Sequence, residues 1–469
     1  MARNHLYESI SQTGRPARKT IGIIGAAIAG PVFALQILSN PTLRSLYRPV
    51  LYDQSPDPAH SHKIARNDLT GGAAVGLGPN GLFPLYSLGL RSAIDEVSCE
   101  FGGARFWRAK LGKRLMDDEN VEQATAGRHW YLNGGENLTW SEDVGANMRI
   151  LERRDLQQLL LDAVRGRGGE IIWDRKLKDI ERVGDGRVRA RFKGGECLDV
   201  DLLVGAEGAW SEVRRHLLRQ NDKKTADSRW VPEFMNATGL YGIFSPRKGH
   251  LWTDAGSMEF FQDTHGIWLD RGNLSTSPLP HGKIRWDLQL PEHTPPSAGS
   301  SPDHETEFER GWKSKMAPGL YSKDSTIRIL RDYASIYHPV TGTFGRLLAA
   351  SDRIIRTPMR QRAWEADEIQ KDNIVLIGDA ARLMPPSSGQ GPAFAIEDAT
   401  VLADCLLKHS SEGNLGKALE EYARIQVPKS KKMVTMSSYT GKIGLGERWY
   451  WRLLRDYGTK FTPFVDMKK

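Results

Sequence analysis

A carboxylate, a stiff prolyl turn and a run of bare backbone donors stand close together in Ile374 to Ala399, IVLIGDAARLMPPSSGQGPAFAIEDA. Ile374 to Ile377 is apolar throughout and is expected as a strand buried in a sheet. It stops at Gly378-Asp379, which holds Asp379 at a strand end, where its carboxylate can accept a hydrogen bond from a sugar hydroxyl. Pro385 and Pro386 stiffen the loop and remove two backbone donors. Gly389, Gln390 and Gly391 leave N–H groups bare just before Pro392, a favoured first helical residue. A helix N-terminus there carries roughly half a positive charge and suits an anion or a negatively charged ring edge. The layout fits a loop wrapped around a large, flat, phosphate-bearing cofactor.

Near the N-terminus, Thr20-Ile-Gly-Ile-Ile-Gly25 reads as a short buried strand, and Gly25-Ala-Ala-Ile-Ala-Gly30 turns into an apolar helix. This is a dinucleotide fingerprint: the first glycine makes the tight turn, the second admits a pyrophosphate, and the third packs helix on strand. Ala27 replaces the second and adds a methyl at the closest point. A second strand, Pro49-Val-Leu-Tyr-Asp53, ends in an acid suited to ribose hydroxyls, somewhat beyond the usual spacing of about 20 residues because of the insert from Asn40 to Arg48. Gly76-Leu-Gly-Pro-Asn-Gly81 has the formal spacing too, but Pro79 sits inside the turn and no acid-terminated strand follows, so it is rejected. Asp201 to Arg214 is a third apolar strand broken by glycines, followed by a helix expected to be capped by Ser211. Three strand-turn-helix sites thus converge on one cofactor.

With these motifs in this order, the chain resembles the class A flavoprotein monooxygenases, the family of p-hydroxybenzoate and salicylate hydroxylases. Ile171-Ile-Trp-Asp-Arg-Lys-Leu177 and Leu383-Met-Pro-Pro-Ser-Ser-Gly-Gln-Gly391 lean toward its tetracycline-inactivating branch. Gly25 to Gly30 with Asp53 resembles the family's ADP-binding loop and ribose acid. Leu151-Glu-Arg-Arg-Asp-Leu156 resembles its Arg-x-x-Leu helix start, which makes Arg153 the arginine expected near FAD. Gly205 to Arg214 resembles its Asp-Gly segment, and Gly378 to Gly391 its Gly-Asp segment. There are four departures: Ala27, Gln54 where an arginine often follows the ribose acid, Glu207 for an aspartate, and Arg382 for a histidine, with Arg382 expected to face the phosphates.

The resemblance implies an α/β fold: a Rossmann-like FAD-binding domain interleaved with a substrate domain on a mostly antiparallel sheet, plus C-terminal helices. The expected FAD-binding domain is discontinuous, over 1–90, 150–219 and 352–408; the substrate domain takes 91–149 and 220–351, and a helical segment 409–469. The implied enzyme reduces bound FAD with transient NAD(P)H and adds O2 to the reduced ring. The flavin C4a-hydroperoxide then delivers one oxygen atom, by hydroxylation or epoxidation, to an aromatic or polycyclic small molecule. By the same resemblance, the cofactor-binding residues are Gly25, Ala27, Gly30, Asp53, Gly72, Arg153, Asp379, Pro386, Gly389, Gln390 and Gly391. Pro386 is expected beside the hydroperoxide, with Gly389 to Gly391 donating to the flavin's pyrimidine edge. Arg214 is the candidate cation near ring or substrate; its alternative is a helix-surface arginine balancing Glu212.

In the substrate part, Ser257 to Gln262, Gly266 to Asp270 and Ile284 to Leu290 read as short strands. Phe260, Phe261, Trp268 and Trp286 are candidates for an aromatic pocket, although alternation in a strand sends some of them to the core. Ala418 to Val427 reads as an amphipathic helix interrupted at Pro428. Arg448-Trp-Tyr-Trp-Arg452 suggests membrane or nucleic-acid contact or, as favoured here, docking of a C-terminal helix on the core.

The net charge is +8 with 57 acids interspersed, which suits anionic cofactors and argues against nucleic acid. Cys99, Cys197 and Cys405 lie far apart with no paired spacing, so neither a disulfide framework nor a metal site is expected. A cytoplasmic monomer or homodimer without membrane contact is the expectation. A rival reading takes Ile21 to Leu38, after Arg15, Arg18 and Lys19, as a signal anchor of a non-enzymatic protein; its three glycines, Pro31 and Gln36 weaken it as a span. A flavin oxidase or reductase shares the fold. Halogenases do too, but their Trp-x-Trp-x-Ile-Pro stretch is missing.

Overall fold

The computed structural model describes residues 18–58, 74–109, 129–136, 139–246, 261–294, 316, 320–386 and 389–461. Gly72 and Phe260 lie outside them.

Lys19–Ile24 runs through the interior of a six-stranded sheet. Tyr47–Tyr52 and then Glu170–Ile172 lie on one side of it, Leu202–Gly205 and Ile374–Leu376 on the other, all parallel, with Gln370–Lys371 antiparallel at the edge. The parallel arrangement follows from the runs of Ile, Val and Leu, which are buried on both faces. The helices Ala29–Ser39 and Gly391–Lys408 pack on each other against this sheet, linked by Gln36 Nε2 donating to Thr400 Oγ1 at 3.0 Å. Strands far apart in sequence therefore share one sheet, and the fold is α/β as expected. The stretch weighed as a signal anchor is a strand, a turn and a helix, and no described helix is long and apolar enough to cross a membrane.

A second sheet has eight strands, in spatial order Arg382–Leu383, Ser351–Ala363, Glu233–Phe244, Ile284–Pro291, Asn273–Pro278, Thr264–Trp268, Gly103–Ala109 and His129–Glu136. All pairings are antiparallel except that of Thr264–Trp268 with Gly103–Ala109. Alternation divides its faces. Leu240, Phe244, Ile267, Trp286 and Leu288 form one core with Ile327, Leu330, Phe344 and Leu347 of the helices Lys323–Tyr333 and Phe344–Ala349. Trp286 belongs to this core, with Nε1 donating to Ser351 Oγ at 2.8 Å, so it lines no pocket. Of the strand expected over Ser257 to Gln262, residues 257–260 lie outside the described residues, and Phe261 and Gln262 are in a turn before the strand Thr264–Trp268. Phe261 sits in the preceding turn, where Asp263 pairs with Arg105, and packs on the same core. On the opposite face the directly paired residues Ile355, Tyr241, Asp287 and Ser275 form a row that is largely polar.

A buried histidine pair under this sheet has a measurable consequence. His338 is fully enclosed; its Nδ1 accepts the Thr341 N–H at 3.2 Å and its Nε2 lies 2.9 Å from Thr276 Oγ1. The rings of His338 and His265 are 6.0 Å apart. Burial, and then the neighbouring His265, holds His338 well below the ordinary histidine value of 6.5. The unfolded chain therefore binds a proton that the folded chain refuses, so stability is complete above about pH 6.5 and is lost as pH falls below it. The expected slope from this group is about 1.4 kcal/mol per pH unit, read from urea melts between pH 7.5 and 5.5, and His338→Gln should flatten it.

Candidate active site

Three parallel neighbours end on the same edge of the six-stranded sheet, in Gly25, in Ala206-Glu207-Gly208 and in Ile377-Gly378-Asp379. That carboxyl edge is where open α/β sheets bind ligands. The first two loops touch: Ala206 N–H donates to Ile24 O at 2.7 Å, and a Cβ on Gly25 would stand 2.3 Å from Ala206 O. A Cβ on Gly30 would stand 2.0 Å from Gly25 O, which is why the helix can pack so closely. Ala27 is half-buried and outside the left-handed region, so its methyl does not strain the turn. Asp53 accepts the Ala26 N–H at 2.7 Å and the Ser55 N–H at 2.8 Å; it shapes the turn, and each oxygen keeps further acceptor capacity. Gln157, one turn after Arg153 and not singled out from sequence, donates to Ala26 O at 2.9 Å.

The helix starts discriminate between the three loops. Ala29–Ser39 and Gly391–Lys408 begin with no side-chain cap and no acid in the first turn. Their N–H donors suit a pyrophosphate and an electron-rich ring edge. Glu212–Asn221 instead caps itself. Ser211 Oγ accepts the Arg214 N–H at 2.9 Å and donates to Glu207 Oε2 at 2.8 Å, while Glu207 Oε1 accepts the Val213 N–H at 2.9 Å. Glu207 is thus committed to its own helix, and burial pushes its carboxyl up. Gly208, Gly389 and Gly391 border open space, since a Cβ on any of them would meet nothing within 4 Å. Glycine walls and bare donors of this kind fit a flat dinucleotide such as FAD.

Asp379 is accessible to solvent yet ringed by protein, the setting of a group on a cleft wall. Burial pushes its carboxyl up, against the charges of Arg382, Arg153 and Arg214. Arg153, the first residue of Arg153–Gly166, also acts on Tyr241, so its charge reaches both sheets. Pro386 is exposed, and its carbonyl accepts the Gly389 N–H at 2.9 Å. Gly81 packs on Ala393 of Gly391–Lys408, and Ala74–Leu77 before it is antiparallel to Arg149–Glu152; the Gly76 to Gly81 stretch is a helix-docking turn.

Two arginines are placed unlike their sequence readings. Arg214 is 0% exposed, so it is no surface residue. It donates to Ala380 O at 2.9 Å, Ala209 O at 2.5 Å and Trp230 O at 3.0 Å, and its guanidinium lies 3.9 Å from the Trp364 ring centroid. It ties the Gly208 loop to the Gly378 loop. Arg214→Met should cost about 3 kcal/mol in thermal or urea melts, because the carbonyls lose a buried charged donor; flavin retention should fall with it. Arg382 does not face the phosphates. It is buried and paired with Asp398 at 2.7 Å, which in turn accepts the Gly378 N–H at 2.8 Å.

The polar face of the eight-stranded sheet adjoins the strand pair that abuts the glycine loop. Phe101, Ala104 and Ile243 cluster with Ile150, joining this face to Arg149–Glu152 and its partner Ala74–Leu77. A Cβ on Gly76 would lie 3.9 Å from Gly389 O, so that strand pair abuts the glycine loop. Tyr241 O–H lies 2.9 Å from Thr357 Oγ1. Arg285 Nη2 is 2.6 Å from Asp287 Oδ2, and burial pushes the Asp287 carboxyl up. Arg285 Nε and Trp268 Nε1 are buried without hydrogen bonds, while Asp287 Oδ2 has Arg285 as its partner. Trp268 shares this face, stacked on Phe106 with centroids 5.4 Å apart. Among the described residues no His, Cys, Asp or Glu group could hold a metal ion.

The family model described as "FAD binding domain" matches residues 108–437, and the chain belongs to that family. It is a flavoprotein monooxygenase with FAD as cofactor and NAD(P)H and O2 as co-substrates. The Aurachin C monooxygenase/isomerase of Stigmatella aurantiaca is 26% identical over 80% of both chains. Klebsiella pneumoniae HpxO, solved with FAD and uric acid, superposes with TM-score 0.65 at 18% identity, over 95% of this chain and 93% of that one. The tetracycline destructase Tet(51) superposes with TM-score 0.60 at 18% identity, over 97% and 99%. At such identities these structures show the shared fold alone.

Proposed function

We propose that the chain oxygenates an aromatic or heteroaromatic small molecule bearing hydrogen-bonding groups, held between the Pro386 to Gly391 loop and the polar face of the eight-stranded sheet. The observation that carries this reading is the buried, unpartnered Nε of Arg285 on the same sheet face as its ion-pair partner Asp287 and the Tyr241–Thr357 hydroxyl pair, with the unpartnered Trp268 Nε1 three strands from Tyr241 along that face. Buried polar groups normally have partners, and a polar aromatic ring supplies them together with a surface for Trp268. That the HpxO structure holds uric acid, a flat polar heterocycle, agrees with this.

When bound, FAD supplies the electron transfer from NAD(P)H and the activation of O2. The chain does the rest. Bare N–H groups at Ala29–Ser39 would receive the pyrophosphate, and Asp53 and Asp379 would accept from the cofactor's sugar hydroxyls. Gly389, Gln390 and Gly391 would donate to the ring's pyrimidine edge, while Pro386 would shield the ring from water. Arg153 adds positive charge between the sheets, and Arg214 positions the two loops without touching substrate. This division keeps the interleaved domains 1–90, 150–219 and 352–408 against 91–149 and 220–351.

The test begins with the visible spectrum of the desalted protein, then NAD(P)H addition under air with a panel of phenols, anilines and N-heterocycles. Compound-stimulated NAD(P)H loss with one labelled oxygen from O2 in the product supports the reading; NAD(P)H loss unaffected by every compound supports an oxidase instead. With an active compound, Tyr241→Phe and Asp287→Asn should each raise KM about ten-fold, the worth of one buried hydrogen bond of about 1.4 kcal/mol, with flavin content unchanged.

A further inference from the structure

The C-terminal helix Trp449–Phe461 is amphipathic in the inverted sense. It docks on the body through charge. Arg455 is buried, donating to Leu269 O at 2.7 Å, Gly444 O at 3.1 Å and Gly272 O at 3.3 Å, while Asp456 meets Arg108 at 3.1 Å. Its outer face carries Trp449 at 70% exposure, Tyr450 at 38%, Leu453 and Leu454 at 51% each, and Tyr457 at 56%. At about 100° per residue these five fall within an arc of about 140°. Met436 and Tyr439 on the preceding helix Leu415–Leu445 are exposed as well, and Tyr439 touches Trp451, with centroids 6.4 Å apart. A helix that buries its arginine and exposes its leucines has its apolar face directed at something other than water.

We propose that this face seats on the headgroup region of an anionic lipid bilayer. Charge complementarity supports that occupant. Lys442 and Arg448 flank the apolar arc and are exposed, whereas the nearby acids are engaged: Asp456 by Arg108 and Arg455, Glu447 with His293 at 3.0 Å. The chain as a whole carries +8. Composition agrees, since Trp and Tyr favour the membrane–water interface and an interfacial helix buries only its apolar face. A second copy of the chain fits less well. The arc spans about 12 Å of helix axis, a footprint far below the roughly 800 Å² per partner of a stable dimer. No described helix crosses a membrane, so the contact is peripheral, and it runs against the sequence expectation of no membrane partner.

The experiment is co-sedimentation of the full-length, FAD-loaded protein with vesicles of phosphatidylcholine alone and of phosphatidylcholine with a third phosphatidylglycerol. At low salt the anionic vesicles should carry down about ten-fold more protein, and raised salt should weaken this. Leu453→Asp with Leu454→Asp should lose the binding about ten-fold while keeping flavin absorbance and far-UV circular dichroism. Lys442→Glu with Arg448→Glu should bind anionic vesicles no better than neutral ones. Protein that stays in the supernatant with both vesicle types overturns the proposal. So does a solution dimer that the double aspartate variant splits, since a second copy would then cover the face. Neither result touches the oxygenase reading.

Discussion

Arg382→Leu is expected to lower the folding free energy by about 3–5 kcal/mol, the usual result of removing one partner from a buried ion pair. Arg382 and Asp398 are 2% and 0% exposed, and Nη1 lies 2.8 and 2.7 Å from the two carboxylate oxygens. Without the guanidinium, Asp398 becomes an isolated charge between the cofactor helix Gly391–Lys408 and the Gly378 loop. Burial already pushes this carboxyl up to about 6 with Arg382 present. In the variant it rises further, so the folded state binds a proton that the unfolded state, titrating near 4, does not. The sign follows: the deficit should be largest at alkaline pH and shrink as pH falls toward 6. Urea melts of wild type and variant at pH 8 and 6 check this. Arg382→Leu with Asp398→Leu should recover part of the loss, because a buried pair replaced together leaves no orphaned charge. A deficit independent of pH would mean that lost packing, not the carboxylate, sets the cost.

Gly25→Ala is expected to abolish flavin retention, raising the FAD Kd at least about 100-fold, or about 2.7 kcal/mol, with a clear fall in Tm. Two penalties coincide. The residue sits at φ 111°, where side chains are strained, and its Cβ would stand 2.3 Å from Ala206 O and 2.9 Å from Glu207 N. Both clashing atoms are backbone of the neighbouring loop, so no rotamer relieves them; the two loops must separate. Gly389→Ala is the control. Its φ is 64° and its Cβ would meet nothing within 4 Å, so only the left-handed strain of about 1 kcal/mol applies. That variant should keep nearly its full Tm and still bind flavin more weakly, because the added methyl stands in the cleft. Flavin titrations and thermal melts of both variants separate the two kinds of glycine; equal losses of Tm would contradict the distinction.

Much of the cofactor side is legible in sequence because its demands are local. A strand buried on both faces must be written in Ile, Val and Leu, and a turn that touches another backbone must be written in glycine. Gly25, Gly30 and Gly378 are therefore visible without any knowledge of what they touch. Gly25 to Gly30, Gly205 to Arg214 and Gly378 to Gly391 also stand in an order that points to a single shared edge, and the sheet order places them there. The same local signal misleads at Gly76 to Gly81, where glycine spacing serves helix docking on Ala393.

Side chains whose role depends on a distant partner are another matter. Arg382 reads as a phosphate ligand until Asp398, sixteen residues on, is found beside it. Glu207 reads as a cofactor acid until the Val213 N–H takes it. Trp286 and Trp268 look alike in sequence, but register sends one into the core and the other onto the polar face with Asp287 and Tyr241. By itself the sequence determined that a dinucleotide-binding α/β unit exists and which backbone positions shape it, because steric limits on φ, ψ and Cβ act within a few residues. Only the tertiary structure decided which charges are spent on one another, which face of the second sheet is polar and which is core, and that the last helix turns its apolar side outward, because those outcomes rest on burial and pairing between elements, from Arg382 and Asp398 sixteen residues apart to strands more than a hundred residues apart.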